Sequence, residues 1–514
     1  MDYSYGIQIS SQKWPKGIAL ICDGLSYTHS ELNRRINQLA NGLLNAGVRQ
    51  KDRVAFVLQN SPPAVELYMA LARIGAVAVP INTRSVGAEI AHILNDSGAK
   101  MLVYDQTYEV NVNAGINTAY IQPHCVIVGE APDDAITGYD KLLDAPDTPP
   151  NFEVNDSDVA CLLYTSGTTG KPKGVERTHG GNLINITNVL LSSPRLANDI
   201  EMYSLPISGI GYIHFLLPSL FSGATVVLLP KFDARLAWET LVKYQVTRTF
   251  LAPTMIQSML DIEDHSQYQL SIHTLDTAYE IPDRIRKQIV TRFGENIFHL
   301  YGLTEAQLFS PSPGAFIRTP GANGKPMGLM EYKVVDEQGN TQPTWATGEL
   351  WLRGPSVMKG YYGNQVATAD VLHSGWLKTG DLGFLDENQD FYFTGRRKEI
   401  IKSGGFNVDP TEIENHLFNH PAIKEAAVIG TPNDLWGEAV IAFIVRRPET
   451  SISDIELAEF CRQSLSSYKI PKRFLDVAEI PKNATGKIER TRLRELAALP
   501  ENEIKKILYR NKNS

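Results

Sequence analysis

An α/β fold of more than one domain is what this sequence predicts, and three observations carry it. Helix-period and strand-period segments alternate from Thr28 to His299, short alternating strands with Gly turns follow Gly324, and a further set of helix and strand signals opens near Lys398. A chain of 514 residues also exceeds what a single core supports.

Thr28 with Glu31 forms a capping-box pattern ahead of Leu32, Ile36, Leu39 and Leu43, an apolar stripe at helical spacing that ends at Gly47. Arg53 to Leu58 reads as a strand. Pro62 and Pro63 open a helix that runs to Arg73, and Ala76 to Ile81 is again strand-like. Pro, Asp and Gly accumulate between Ala131 and Asp158, an irregular connection leading to the apolar strand Val159 to Tyr164. The segment Ser204 to Pro230 holds no Asp, Glu, Lys or Arg and is long enough to cross a bilayer. Gly209, Gly211, Pro218 and Gly223 cut it into pieces that read instead as strand, helix and strand of a core. Alternation resumes from Val226. Tyr332 to Val335 and Glu349 to Arg353 are short strands of a small β subdomain. Beyond Lys398 the order is helix (Thr411 to Phe418), strands (Ala426 to Ile429 and Val440 to Val445), helix (Ile452 to Ser464) and strand (Phe474 to Val477), a compact α+β unit.

Hydrophobic residues at 43% and charged residues at 21% describe an ordinary globular protein, and a net charge of −8 leaves no basic footprint for nucleic acid. Cys22, Cys125, Cys161 and Cys461 are scattered with no C-x-x-C pair, which suits reduced, packed thiols of a cytoplasmic enzyme. His416 and His420 have a spacing that could ligate a metal, but no Glu accompanies them as in H-E-x-x-H and Pro421 ends the helix at once. The first residues lack a basic patch followed by an apolar run, so no secretory leader is expected.

Chemistry is most legible from Tyr164 to Val175, YTSGTTGKPKGV. Glycines let several backbone N–H groups turn toward one anion, the hydroxyls of Thr165, Ser166, Thr168 and Thr169 add donors, and Lys171 and Lys173 add positive charge. A polyphosphate is the natural guest. The pattern is not G-x-x-x-x-G-K-[ST], since Pro172 follows Lys171, so a P-loop NTPase is disfavoured. Four further segments follow in order: Tyr301 to Glu305 (YGLTE), Lys378 to Asp381 (KTGD), Gly395 to Gly405 (GRRKEIIKSGG) and Pro481 to Lys487 (PKNATGK).

Together and in this order these segments resemble the ANL superfamily of adenylate-forming enzymes, which includes acyl- and aryl-CoA synthetases, amino-acid adenylation domains and beetle luciferases. The likeness covers nearly the whole chain. It implies a large α/β N-terminal domain of layered sheets and helices with a small β subdomain (residues 1–395), and a small mobile α+β C-terminal domain (396–514) that begins at a hinge. It also implies ATP, Mg²⁺ and CoA.

By resemblance, Thr165, Ser166, Gly167, Thr168, Thr169, Gly170 and Lys171 hold the phosphates, Tyr301 lies against adenine, Gly302 belongs to the same ATP site, and Thr304 contacts phosphate. Glu305 is the expected Mg²⁺ ligand. A carboxylate oxygen is the donor that this cation accepts beside phosphates and water. Asp381 can accept hydrogen bonds from the vicinal ribose hydroxyls and Arg396 can donate to the same sugar, and both match nucleotide-holding positions of the family. Lys487 matches the catalytic lysine that bridges carboxylate and α-phosphate as charge moves. Lys398 occupies the hinge position. Ser403, Gly404 and Gly405 form the face that meets the thiol, where the absence of side chains lets a pantetheine arm pass close to backbone.

Two segments depart from the family pattern. Pro206-Ile-Ser-Gly209 lacks the aromatic residue and His that many members carry, and Thr277-Ala-Tyr-Glu280 stands where a Gly-Ala-Pro-like turn is usual. Ser208, Gly209 and Tyr279 are therefore expected in the acid pocket, with changed volume and polarity. The expected activity is an ATP-dependent carboxylic acid:CoA ligase working through an acyl-AMP. Gly75 to Arg84 (GAVAVPINTR) resembles the acyl-CoA synthetase branch and no carrier domain follows Lys487. A stand-alone enzyme loading a carrier protein shares every residue named, a luciferase-like oxidase is a third reading, and a non-catalytic nucleotide-binding relative is the reading from another class.

Overall fold

The computed structural model describes residues 1–130, 137–165, 172–279, 281, 283–403, 406–448, 450, 452–482 and 488–499. Helix His29–Asn45 shows how the sequence builds its core. Thr28 Oγ1 accepts the Glu31 N–H at 3.1 Å, and the Glu31 carboxylate accepts the Thr28 N–H at 2.8 Å. The same helix buries Leu32, Ile36, Leu39 and Leu43 completely. Each such side chain contributes about 1.5–3 kcal/mol over an exposed one. Helix Pro62–Arg73 starts on two prolines whose missing N–H groups had no intrahelical partner in any case.

Two large sheets dominate the described residues. One has nine strands in the order Lys325–Pro326, Leu308–Ser310, Ile297–Gly302, Thr274–Ala278, Arg248–Phe250, Ile200–Tyr203, Thr225–Leu228, Ile18–Cys22 and Leu25–Thr28. The other has eight, from Gly360–Tyr361 through Lys173–Thr178, Val159–Thr165, Val77–Pro80, Arg53–Val57, Met101–Asp105 and His124–Val128 to Thr137–Gly138. One continuous apolar core joins residues of both sheets with helices His29–Asn45, Pro62–Arg73 and His179–Ser192. In the first sheet, four adjacent parallel strands bring Gly302, Ala278, Phe250 and Tyr203 to one edge at their carboxyl ends. Ligands of open α/β sheets bind at such an edge.

The small antiparallel β unit is built on Glu331–Val335, Gly348–Arg353, Trp376–Leu385 and Phe391–Arg396. A separate sheet begins at Ile401 and has its own apolar clusters. Strands Ile423–Asn433 and Gly437–Arg446 form a hairpin there and extend beyond the predicted Ala426 to Ile429 and Val440 to Val445, chiefly toward the turn that joins them, because backbone pairing continues through residues that carry no apolar alternation.

Two other expectations are corrected, and one helix is added. The uncharged run after Ser204 does not open with a strand: the strand ends at Tyr203, Gly209 closes a turn onto the Pro206 carbonyl, and the chain passes through a π-helical turn, Tyr212–Leu216, into helix Leu217–Ser222 and strand Thr225–Leu228. Residues Thr137–Gly138 and Tyr139–Leu142 give the connection before Asp158 a short strand and a helical turn. A helix at Tyr5–Lys13, which the sequence reading left unassigned, buries Ile7. No helix of the described residues is long and apolar enough to cross a membrane.

Candidate active site

The segment expected to hold phosphate joins two antiparallel strands. Strands Val159–Thr165 and Lys173–Thr178 pair up to Thr165 opposite Lys173, so both stems leave a rigid edge. Ser166, Gly167, Thr168, Thr169, Gly170 and Lys171 lie outside the described residues. The stems are gripped from one side by helix Gly87–Ser97. His92 Nε2 is 3.0 Å from the Pro172 carbonyl, and Tyr164 Oη donates to Asp96 Oδ2 at 2.6 Å. His92 and Asp96 are four residues apart, one above the other on a single helix face. The Tyr164 ring crosses the hairpin over Gly174, where an added Cβ would come within 3.1 Å of it.

The Tyr301–Glu305 segment leaves the carboxyl end of strand Ile297–Gly302 and is held mainly through its backbone. Arg177, 1% exposed, spreads its guanidinium among carbonyls: Nη1 lies 2.7 Å from Ser356 O, 3.2 Å from Ala306 O and 3.5 Å from Thr304 O, while Nε donates to Asn182 Oδ1 at 3.1 Å. Among the described residues no carboxylate lies within ion-pair distance of it, and burial pulls its pKa down. Asn185 Nδ2 adds a second donor to Ala306 O at 3.1 Å. Met358 N–H donates to Glu305 O at 2.7 Å, and Tyr361 Oη donates to Glu305 Oε1 at 3.2 Å. Thr304 and Glu305 are half-buried.

Asp381 and Arg396 face one another in the antiparallel ladder of the small sheet, with Arg396 Nε 2.8 Å from Asp381 Oδ1. Tyr301 Oη donates to the other carboxylate oxygen. The Asp381 charge raises the Arg396 pKa, and burial together with that charge raises the Tyr301 phenol, so both remain protonated donors. The Tyr301 ring stacks on Phe393 at 5.7 Å. Gly302 is exposed at the strand end.

The departures in the acid-pocket segments have a structural form. Asn60 donates to Leu205 O and Leu229 O, both at 2.9 Å, and accepts from Ile207 N–H at 2.9 Å, while Tyr68 Oη donates to Ile207 O at 2.9 Å. These bonds fix the turn that presents half-buried Ser208 and Gly209, and a Cβ on Gly209 would meet only the Pro206 carbonyl, at 3.6 Å. Tyr279 adopts φ +66°, a left-handed conformation that costs a non-glycine residue, and its carbonyl accepts a hydrogen bond from His299 Nε2. Burial lowers His299 to a pKa of about 4, so the ring is neutral with its proton on Nε2. Glu280 lies outside the described residues.

Lys398 is exposed between the last strand of the small sheet and the first of the C-terminal sheet, in a turn closed by Glu399 N–H on Arg396 O at 2.8 Å. Ser403 is buried and pairs with Phe406 and Gly437, whereas Gly404, Gly405 and Lys487 lie outside the described residues. Beside Ser403 stand two exposed aromatic side chains. Phe406 stacks on Tyr468 at 4.3 Å, and Trp436 carries the Lys472 ammonium 5.1 Å from its ring.

The structure thus brings Tyr301, Thr304, Glu305, Asp381 and Arg396 to one locus with the foot of the phosphate loop, and Ser403 belongs to a different sheet. It adds Arg177, Tyr361, His92 and Asp96, for which the sequence held little signal: an i, i+4 pair on one helix face is common. His416 and His420 do not form a metal pair: His416 Nε2 faces the Phe460 carbonyl at 2.9 Å, His420 lies past the helix end, and among the described residues no group of three His, Cys, Asp or Glu could hold an ion.

These features define an enzyme that handles a nucleotide at the edge of a sheet. The chain belongs to the AMP-binding enzyme family, whose model matches residues 7–362, with the AMP-binding enzyme C-terminal domain matching 412–487. It is 34% identical to a feruloyl-CoA synthase of Amycolatopsis sp, over 92% of this chain and 94% of that one, and 34% identical to a 2-succinylbenzoate–CoA ligase of Bacillus velezensis, over 95% and 96%. Among solved structures it superposes on the anthranilate CoA ligase bound to anthranoyl-AMP with a TM-score of 0.89 at 28% identity, covering 97% of each chain. The o-succinylbenzoate CoA synthetase of Bacillus subtilis, bound to its acyl-adenylate, gives 0.84 at 30% identity, covering 95% and 97%.

Proposed function

We propose that this protein is an ATP-dependent carboxylic acid:CoA ligase that forms an acyl-AMP and then an acyl-CoA thioester. The observation that carries this reading is the assembly of Tyr301, Asp381 and Arg396 beside Glu305 at the foot of the phosphate loop, in a member of the AMP-binding enzyme family. In the first half-reaction a carboxylate oxygen bonds to the α-phosphorus and the bond to the β-phosphate oxygen breaks, releasing pyrophosphate. In the second the thiol of CoA loses its proton, its sulfur bonds to the acyl carbon, and AMP leaves.

The chain's own residues align and neutralise. Asp381, held by Tyr301 and Arg396, accepts from the ribose hydroxyls, and Arg396 donates to the same sugar. Thr304 donates to phosphate, and Lys487 bridges the two anions as they approach. The half-buried Glu305 carboxylate, backed by the Tyr361 hydroxyl, is an oxygen donor suited to Mg²⁺. When bound, Mg²⁺ supplies charge neutralisation at the phosphates. The C-terminal domain pivots near Lys398 and presents Ser403, Gly404 and Gly405 to the thiol, with Phe406, Trp436 and Lys472 as an aromatic and basic surface for the nucleotide end of CoA.

The acid is an aryl carboxylate. Phe215 and Phe250 pack 4.8 Å apart at the carboxyl end of strand Arg248–Phe250, an apolar aromatic surface suited to a ring, and the relatives act on ring-bearing acids by name. Four unpaired cysteines fit a cytoplasmic location. The test is mass spectrometry of the full-length protein incubated with ATP, Mg²⁺, CoA and a pool of ferulate, 2-succinylbenzoate, anthranilate and octanoate. Aryl-CoA products are expected. Accumulation of acyl-AMP without any thioester would replace CoA by a carrier protein as acceptor, and octanoyl-CoA as the main product would overturn the aryl assignment.

A further inference from the structure

Glu305 is secured at two points by the short segment that includes strand Gly360–Tyr361. Its carbonyl accepts from Met358 N–H at 2.7 Å, and its carboxylate accepts from the Tyr361 hydroxyl at 3.2 Å. Tyr361 is itself fixed. It sits opposite Val175 in an antiparallel bridge to strand Lys173–Thr178, and its N–H donates to Thr368 Oγ1 at 2.9 Å. The Lys173 ammonium lies 5.1 Å from the centre of its ring. Lys173 is the residue opposite Thr165 where the phosphate loop returns to the sheet.

We propose that Tyr361 is a positioning residue for the metal-binding carboxylate of Glu305, holding Oε1 by its hydroxyl and tying that carboxylate through its ring to Lys173 at the foot of the phosphate loop. The inference rests on Glu305 as the Mg²⁺ ligand. Mg²⁺ demands near-ideal octahedral geometry, so a carboxylate free to rotate binds it less well than one held in a single orientation. Groups that hold a metal ligand typically contribute 10- to 100-fold in metal affinity. A purely structural tyrosine has no need of its hydroxyl here, because the bridge and the cation–π contact use backbone and ring.

The test compares the full-length protein with Tyr361→Phe, which keeps the ring, by calorimetric titration with ATP from excess EDTA to saturating Mg²⁺. The variant is expected to need about tenfold more Mg²⁺ for the same gain in ATP affinity. Its affinity in EDTA and its melting temperature are expected to stay unchanged. The double variant with Glu305→Gln is expected to be no worse than Glu305→Gln alone. An unchanged Mg²⁺ requirement in Tyr361→Phe, an equal loss in EDTA, or additive losses in the double variant would each overturn the proposal. If Glu305→Gln itself leaves the Mg²⁺ response intact, the metal role of Glu305 fails and the role of Tyr361 falls with it. A defective Glu305→Gln beside a normal Tyr361→Phe sinks the tyrosine alone.

Discussion

Tyr164 and Asp96, 68 residues apart in the chain, meet at 2.6 Å at the root of the phosphate loop. With His92 on the Pro172 carbonyl, this contact makes helix Gly87–Ser97 a clasp across both stems of the hairpin. Removing the hydroxyl by Tyr164→Phe keeps the ring over Gly174 and releases one stem. One hydrogen bond to a charged group is worth about 1.5–3 kcal/mol, less where water reaches it, so the KM for ATP should rise roughly three- to tenfold. Thiolation from a supplied acyl-adenylate should not change. Steady-state kinetics of the two half-reactions decide this, and an equal fall in both would mean that the clasp only stabilises the fold.

The clasp also marks where sequence reading stops. Thr28, Leu32, Leu39 and the proline pair at 62–63 announced their helices because capping and periodicity are local. The order of Gly-rich and acidic segments picked out Tyr301, Asp381 and Arg396 from distant parts of the chain, and the structure brings these three side chains into contact. Arg177 and Tyr361 were not legible, because what distinguishes them is a partner more than 50 residues away and not a neighbour at fixed spacing. The turn after Tyr203 was misread as strand for a related reason. Its geometry is imposed by Tyr68 of helix Pro62–Arg73 and by Asn60 in the loop before it, and apolar content alone cannot tell a buried turn from a buried strand.

Arg177 should be among the most sensitive positions for stability. Arg177→Met removes donors from Ser356 O and Ala306 O, both deeply buried, and each carbonyl left without a partner costs about 1–3 kcal/mol. Asn185 keeps a bond to Ala306 O, which moderates the loss there. A total of about 2–4 kcal/mol is expected in urea unfolding. Arg177→Lys should recover only part of it, because an ammonium retains the charge and lacks the planar fork that serves several acceptors. Wild-type stability in Arg177→Met would show that the clamp carries no load.

Mild acid should destabilise the protein through its buried histidines. Burial lowers His179 and His299 to about 4 and His214 to about 3, all below the unfolded value near 6.5. Below that value the unfolded chain binds more protons than the folded one, so stability is full above about pH 6.5 and falls as pH drops toward 4. Asp409 acts in the opposite sense. Burial raises it to about 6, the folded state binds its proton first, and its contribution therefore declines as pH rises from about 4 to 6. Three histidines against one carboxyl give a net loss, on the order of a few kcal/mol between pH 7 and pH 5. Denaturant midpoints across that range test it, and Asp409→Asn, which can keep the helix cap on the Thr411 N–H, should steepen the slope. A flat profile would contradict the burial of these rings.

Tyr279 combines a strained backbone with a position in the segment that we propose borders the acid. Its φ of +66° is one that glycine adopts freely, and the side chain is 46% exposed, so little core packing is lost when it is removed. Relief of the strain opposes the greater freedom glycine gives the unfolded chain, so Tyr279→Gly should leave stability unchanged or raise it by up to about 1 kcal/mol. The larger effect should be on selectivity. Tyr279 directly follows Ala278, the last residue of strand Thr274–Ala278, and if it borders the acid as proposed, removing its phenol ring enlarges the space for a substituent. The ratio of kcat/KM for a ring acid with a large substituent, such as 2-succinylbenzoate, to that for a compact one, such as anthranilate, should rise by about tenfold or more, the scale of several methylene-sized volumes in a binding pocket. Pyrophosphate release with each acid measures it. An unchanged ratio together with a loss of stability would mean that Tyr279 packs against the fold and takes no part in choosing the acid.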